Sequence, residues 1–133
     1  MTVTDTEAAH VDPDLKKLGE QLLRTARANR YKAAAQALVE EKTILSNPAV
    51  RRALIVDTSR GKACNWEGLA GHLYTVGLDE AQRAFLGLVM SMVGMGHVPL
   101  SAVEVLDERR LVIMQRALLR LASNDTIAVG TLL

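Results

Sequence analysis

The side chains most able to do chemistry in this sequence are one cysteine, Cys64, and three histidines, His10, His72 and His97. A nucleophilic centre needs a thiol or hydroxyl beside a base, and Cys64 and His72 are the nearest such pair along the chain. Their separation does not place them on one helical face, and no carboxylate or amide stands at a suitable position beside them. We therefore interpret Cys64 as a half-buried thiol and expect the protein not to be an enzyme.

The spacing of candidate ligands indicates neither a metal site nor a nucleotide site. The histidines and the cysteine lack the close pairs that zinc sites use. In "SRGKA", only Gly61 and Lys62 match a phosphate-binding loop, which needs two glycines framing four residues before Lys and Ser or Thr. We interpret this stretch as a solvated loop, with weak phosphate contact as the alternative. We expect no cofactor and no metal ion.

Composition restricts the class of fold and of partner. The chain has 133 residues, enough for one domain, of which 49% are hydrophobic and 3% aromatic. A core built from Leu, Val, Ile, Ala and Met favours helices over a sandwich. Sixteen Lys and Arg residues against fifteen Asp and Glu residues give a formal charge of +1. Binding to nucleic acid must therefore depend on a local patch rather than on the overall field.

Two segments of the sequence indicate whether the protein is secreted or inserted into a membrane. Residues 1–11 are polar and acidic and do not resemble a secretory signal, so we expect a disordered arm. Residues 84–103 contain no Asp, Glu, Lys or Arg, but three glycines, His97 and Pro99 interrupt them. A buried core helix followed by a turn explains them better than a membrane span. With a single cysteine that fits a reducing compartment, we expect a cytoplasmic protein that does not contact membrane.

Apolar spacing and capping residues predict a mainly α, compact multi-helix domain over residues 12–133. Residues 12–56 form the N-terminal helices, residues 57–65 an exposed loop, and residues 66–133 the C-terminal helices and a terminal strand. Asn47, Asp79 and Ser101 are predicted helix caps. The helix after Asp79 is apolar all round and should be central and most buried. The acidic pair Glu40-Glu41 is interpreted as a helix surface.

The C-terminal part resembles the winged helix-turn-helix family of DNA-binding domains. Over residues 78–130 a buried helix leads through "HVPL" to a short helix, a long basic and apolar helix, and "RALLRLASNDTIAVG". The last stretch looks like the family's exit from its reading helix into the first wing strand. The resemblance implies a winged-helix-like C-terminal half with at most a short β-strand pair, and binding to duplex DNA.

Arginines on the predicted last helix are the candidate DNA contacts. Arg109, Arg116 and Arg120 align at spacings of seven and four residues, opposite an apolar side. The first helix carries a basic face of its own, and its members join the candidate site: Lys16, Arg24 and Arg27. This hypothesis describes a small non-catalytic regulator in which the first helices pair two copies. The alternative for the arginines is the solvated side of an ordinary amphipathic helix.

A second hypothesis is a helical protein-interaction or oligomerisation module with no nucleic-acid binding. Its exposed apolar surface would lie around Leu22, Leu38 and Trp66 and meet a protein partner or a second copy. The two hypotheses differ in salt dependence, because only phosphate binding releases counterions.

Overall fold

The computed structural model describes residues 13–124 and 126–129 of the chain. The fold is mainly helical, with a small two-stranded antiparallel sheet. In chain order the elements are α1 Pro13–Thr25, α2 Asn29–Glu41, α3 Pro48–Leu54, β1 Ile55–Thr58, β2 Gly61–Cys64, α4 Trp66–Leu69, α5 Glu80–Met92, a 3₁₀ helix Leu100–Val105, and α6 Glu108–Leu121. The predicted arm, residues 1–11, lies outside the described residues.

The helix starts follow from side-chain capping. The Asn47 side chain accepts hydrogen bonds from the backbone N–H groups of Ala49 and Val50, and Pro48 opens α3. The Asp79 carboxylate accepts from the backbone N–H of Gln82, whose side chain accepts in return from the backbone of Asp79. The sequence predictions of caps at Asn47 and Asp79 are confirmed.

The core forms where the apolar faces of the helices meet. Phe85, Leu86 and Val89 of α5 are fully buried, as predicted for the most apolar helix. Leu22 is 1% exposed, Leu38 0% and Trp66 6%. These three side chains are core residues, so the prediction that they form an exposed binding surface is wrong. The apolar stripe of α1 packs inside its own chain.

Residues 57–65, expected to be a loop, contribute to a β-hairpin instead. Ile55 pairs with Cys64 and Thr58 with Gly61, which leaves a two-residue turn. Gly61 has a φ of +120°, a conformation that glycine adopts without strain. The hairpin lies on α1, because Gln21 Oε1 accepts from the backbone N–H of Lys62 at 2.8 Å. This tertiary contact with α1 has no signature in the local sequence.

Two predicted elements of the C-terminal half differ from the structure. At the start of the predicted C-terminal helices, the first helix is only the four residues Trp66–Leu69. Residues 126–129 do not form the predicted strand: Thr126 and Ile127 form a bend, in which Asn124 Oδ1 accepts from their backbone N–H groups, and the next two residues have no regular structure. Gly130 lies outside the described residues. Within the described ranges, no helix has the length and apolarity needed to cross a membrane.

Candidate functional site

The three predicted α6 arginines lie against the C-terminal turn of α2. Arg120 Nη2 lies 2.8 Å from Glu40 Oε2, and Arg116 Nη1 lies 3.8 Å from Glu40 Oε1. Arg109 Nη2 lies 3.5 Å from Glu41 Oε2, and its Nη1 donates to the Glu41 carbonyl at 3.1 Å. The predicted alignment on one flank exists, but each guanidinium faces a carboxylate.

These ion pairs change what the arginine stripe contributes. Each of the three arginines lies within ion-pair distance of one carboxylate: Arg116 and Arg120 pair with Glu40, and Arg109 pairs with Glu41. The arginine side chains are 38–47% exposed, so the stripe is partly solvated but already paired. A phosphate would have to compete with these carboxylates, which lowers the net gain from each contact. The geometry favours a structural role in joining α6 to α2.

Glu41 has a structural role that the sequence did not reveal. Its side chain is completely buried, although we expected it to be on a helix surface. Its carboxylate accepts from Arg110 Nε at 2.9 Å, from the backbone N–H of Ile44 at 2.7 Å, and from the Thr43 hydroxyl. Arg110, adjacent to the predicted stripe, is its principal ionic partner. Two consecutive arginines after Asp107 were the only sequence signal for this pair.

Arg27 does not lie on α1 with Lys16 and Arg24, because α1 ends at Thr25. Arg24 Nη2 donates to the Arg60 carbonyl on the hairpin at 3.3 Å. Arg27 lines a different hollow, beside Trp66, and Lys16 is exposed. Of these three candidates, Arg24 alone contacts the hairpin in a hydrogen bond. Neither Arg24 nor Arg27 lines a hollow with an arginine of the α6 stripe.

A second basic surface lies where α1, α3 and the hairpin meet. Lys17, Arg51, Arg52 and Lys62 line a hollow of about 480 Å³ together with Asp14. Arg24 and Arg60 adjoin it, since Arg24 binds the backbone of Arg60 and approaches Gly61. We name these six basic residues the hairpin surface: Lys17, Arg24, Arg51, Arg52, Arg60 and Lys62.

Several cations of the hairpin surface have no carboxylate partner among residues 13–124 and 126–129. Lys62 pairs with Asp57 across the hairpin, and Arg51 Nε donates to the Leu45 carbonyl at 2.6 Å. Within the described part of the chain, Arg24, Arg52 and Arg60 take part in no ion pair. These arginines are exposed, so their guanidinium groups are accessible to an anionic ligand. The three α6 arginines, by contrast, are each paired with a glutamate.

Cys64 and His72, the pair considered for catalysis, lie in local environments that the structure describes, while His10 lies outside the described residues. Burial raises the pKa of the Cys64 thiol to about 12, so the thiol is protonated at neutral pH and is a weak nucleophile. His72 Nδ1 lies 3.4 Å from the hydroxyl of Thr75, its neighbour in the same turn. Among residues 13–124 and 126–129, no three His, Cys, Asp or Glu side chains are grouped to hold a metal ion.

The structure brings Arg24 together with five further basic residues, of which the sequence had suggested Lys62 for weak phosphate contact, while it pairs the predicted α6 arginines with glutamates. No family model matches the chain, and no curated protein or solved structure is significantly similar to it.

Proposed function

We propose that this protein is a non-catalytic, cytoplasmic DNA-binding regulator that contacts duplex DNA through the hairpin surface. The observation that carries the proposal is the charge of that surface. Six basic side chains adjoin two carboxylates, Asp14 and Asp57, in a chain whose formal charge is only +1. The rest of the chain is therefore acidic on balance, which favours approach of a polyanion from this side.

The shape of the hairpin surface suits a phosphate backbone. Lys17 and Arg24 lie seven positions apart on α1, which corresponds to about 10 Å along the helix axis. Duplex DNA carries a negative charge for about every 1.7 Å of its axis, so this span faces several phosphates. The turn between the strands adds Arg60 and the Ser59 hydroxyl, both exposed. These groups position a backbone and do not read bases, so binding is expected without sequence preference.

The test is the salt dependence of binding to a fluorescently labelled random duplex, followed by anisotropy. Each phosphate neutralised changes the slope of log affinity against log salt by about 0.9. Arg52→Ala combined with Arg60→Ala should weaken binding at low salt and flatten that slope by about 2. Wild-type protein with no detectable affinity at low salt would overturn the proposal.

The matched control removes two positive charges elsewhere. Lys32→Ala with Arg116→Ala lowers the net charge equally but leaves the hairpin surface intact. This variant should retain the wild-type slope. If it weakens binding as much as the Arg52 and Arg60 variant does, the attraction depends on overall charge and the assigned surface is wrong. Circular dichroism and thermal melting of both variants report whether each is folded.

A second copy of this chain is a second candidate partner, favoured by an exposed stripe on α6. This stripe consists of four exposed residues at spacings of four, three and four: Leu111, Gln115 and Leu118 on α6, and Ala122 directly after its end. The stripe is uncharged and suits packing against an identical stripe in a symmetric dimer. Sedimentation should show a dimer that persists at high salt and is lost in Leu118→Glu. A monomer at all concentrations would contradict this candidate.

A further inference from the structure

A cavity of about 300 Å³ lies between the end of α1, the start of α2, the end of β2 and the turn after α5. Its apolar wall includes Leu22, Ala35 and Met95, and its aromatic wall is made by Tyr31 and Trp66. The chain has only four aromatic side chains, so half of them line this space. The volume is at the lower end of the range for small-molecule sites.

Trp66, one of the residues that line this cavity, carries a hydrogen-bond donor on its indole ring. The side chain is 6% exposed, yet its indole Nε1 has no hydrogen-bond partner among the described residues. The fully enclosed side-chain nitrogens and oxygens without a partner in that part of the chain are Glu40 Oε1 and Arg120 Nη1. Trp66 Nε1 is therefore not fully enclosed by the described protein atoms, and the indole to which it belongs lines the cavity. An indole N–H prefers to donate to an acceptor, so this donor is free to hydrogen-bond a ligand in the cavity.

The polar rim suggests the charge of that ligand. Arg27 lines the cavity, is exposed, and forms no ion pair with a described carboxylate. Tyr31 has a hydroxyl with no hydrogen-bond partner among the described residues. Glu67 is the only carboxylate among the lining residues, and it is exposed. Three donors with one opposing charge favour an anion whose flat apolar body lies against the aromatic walls.

We propose that this cavity binds a small aromatic carboxylate, with the carboxylate at Arg27 and an acceptor oxygen at the Trp66 indole N–H. The assignment does not depend on DNA binding, since the cavity shares no lining residue with the hollow of the hairpin surface. Arg24 and Arg27 then serve different ligands from the same helix end.

The single tryptophan makes the test direct, because a ¹⁵N-labelled sample gives one indole N–H signal. Titration with 2-naphthoate should shift that signal saturably, and the shift gives a dissociation constant. The neutral matched probe, 2-naphthalenemethanol, should bind roughly tenfold more weakly, as expected for loss of one charge-assisted hydrogen bond. No saturable shift at millimolar 2-naphthoate would overturn the proposal. Equal binding of the two probes would overturn the assigned role of Arg27.

Three substitutions locate the contacts by calorimetry on the full chain. Arg27→Gln should weaken 2-naphthoate binding roughly tenfold and leave the neutral probe unchanged. Trp66→Phe keeps an aromatic wall and removes the N–H, so it should weaken 2-naphthoate binding as well. Glu67→Gln removes the opposing charge and should tighten it. Weaker binding in Glu67→Gln would show that the site prefers a cation and would overturn the proposal.

Discussion

The fully buried carboxylate of Glu41 accepts a hydrogen bond from Arg110 Nε at 2.9 Å, and this pair joins the end of α2 to the start of α6. A carboxylate at a helix C-terminus opposes the helix dipole, so its burial there requires strong partners. Arg110 Nη1 lies 2.9 Å from Asp107 Oδ1, which extends the network to the residue preceding α6. The packing of the two helices at this end therefore centres on the Glu41 carboxylate, with which both Arg110 and Arg109 form ion pairs.

Glu41→Gln should be the most destabilising charge change in the α2–α6 contact. The substitution leaves the Arg110 guanidinium, whose side chain is 13% exposed, without its buried counter-ion. We expect the free energy of unfolding to fall by about 3 kcal/mol, measured by urea denaturation. Glu40→Gln is the matched control, since Glu40 is partly exposed, and it should cost about 1 kcal/mol. Equal losses in the two variants would contradict this assignment.

Asp107 predicts how stability responds to acid. Desolvation acts to raise the pKa of Asp107, but the hydrogen bond and charge of Arg110 outweigh it and the pKa is lowered. A depressed pKa in the folded state gives stability that is present above the unfolded value of 3.8 and is lost as pH falls through the folded value. Because the side chain is 48% exposed, we expect only about 0.5 kcal/mol. Asp107→Asn should remove this part of the acid transition in melts below about pH 4.

The sequence predicted helices and caps better than it predicted which polar groups are paired. The starts of α3 and α5 follow from Asn47 and Asp79, whose capping contacts lie within one helical turn. The burial of Glu41 by Arg110 joins residues 69 positions apart, and no local pattern specifies it. The hairpin was missed for the same reason, because its hydrogen bonds to α1 involve Gln21 and Lys62, far apart in sequence. The unused indole N–H of Trp66 needed coordinates, since a lone tryptophan in a sequence looks like an ordinary core residue.

Gly68 is required by close packing of α4 against α3. A Cβ atom at this position would lie 2.2 Å from the backbone oxygen of Ala53, and backbone cannot move aside at low cost. Gly68→Ala should lower the free energy of unfolding by about 3 kcal/mol. Gly71→Ala is the control, because its Cβ would meet nothing within 4 Å and only its φ of +80° is unfavourable. That variant should lose about 1 kcal/mol in the same chemical denaturation series.

The thiol of Cys64 should react slowly with alkylating reagents while the protein is folded. Burial raises its pKa from 9.0 to about 12, and the thiolate is the reactive form. At pH 8 the thiolate fraction falls by about three orders of magnitude relative to the unfolded chain. Iodoacetamide labelling, followed by mass spectrometry, should therefore be at least about a hundredfold slower than in urea. Labelling at the unfolded rate would show that the thiol is not desolvated.

The raised pKa of Cys64 also predicts how the free energy of unfolding depends on alkaline pH. The folded state retains a proton that the unfolded state releases above about pH 9, so stability should decrease as pH rises from there towards 12. Cys64→Ala provides the control, since it removes this alkaline loss and leaves the acid limb assigned to Asp107 unchanged.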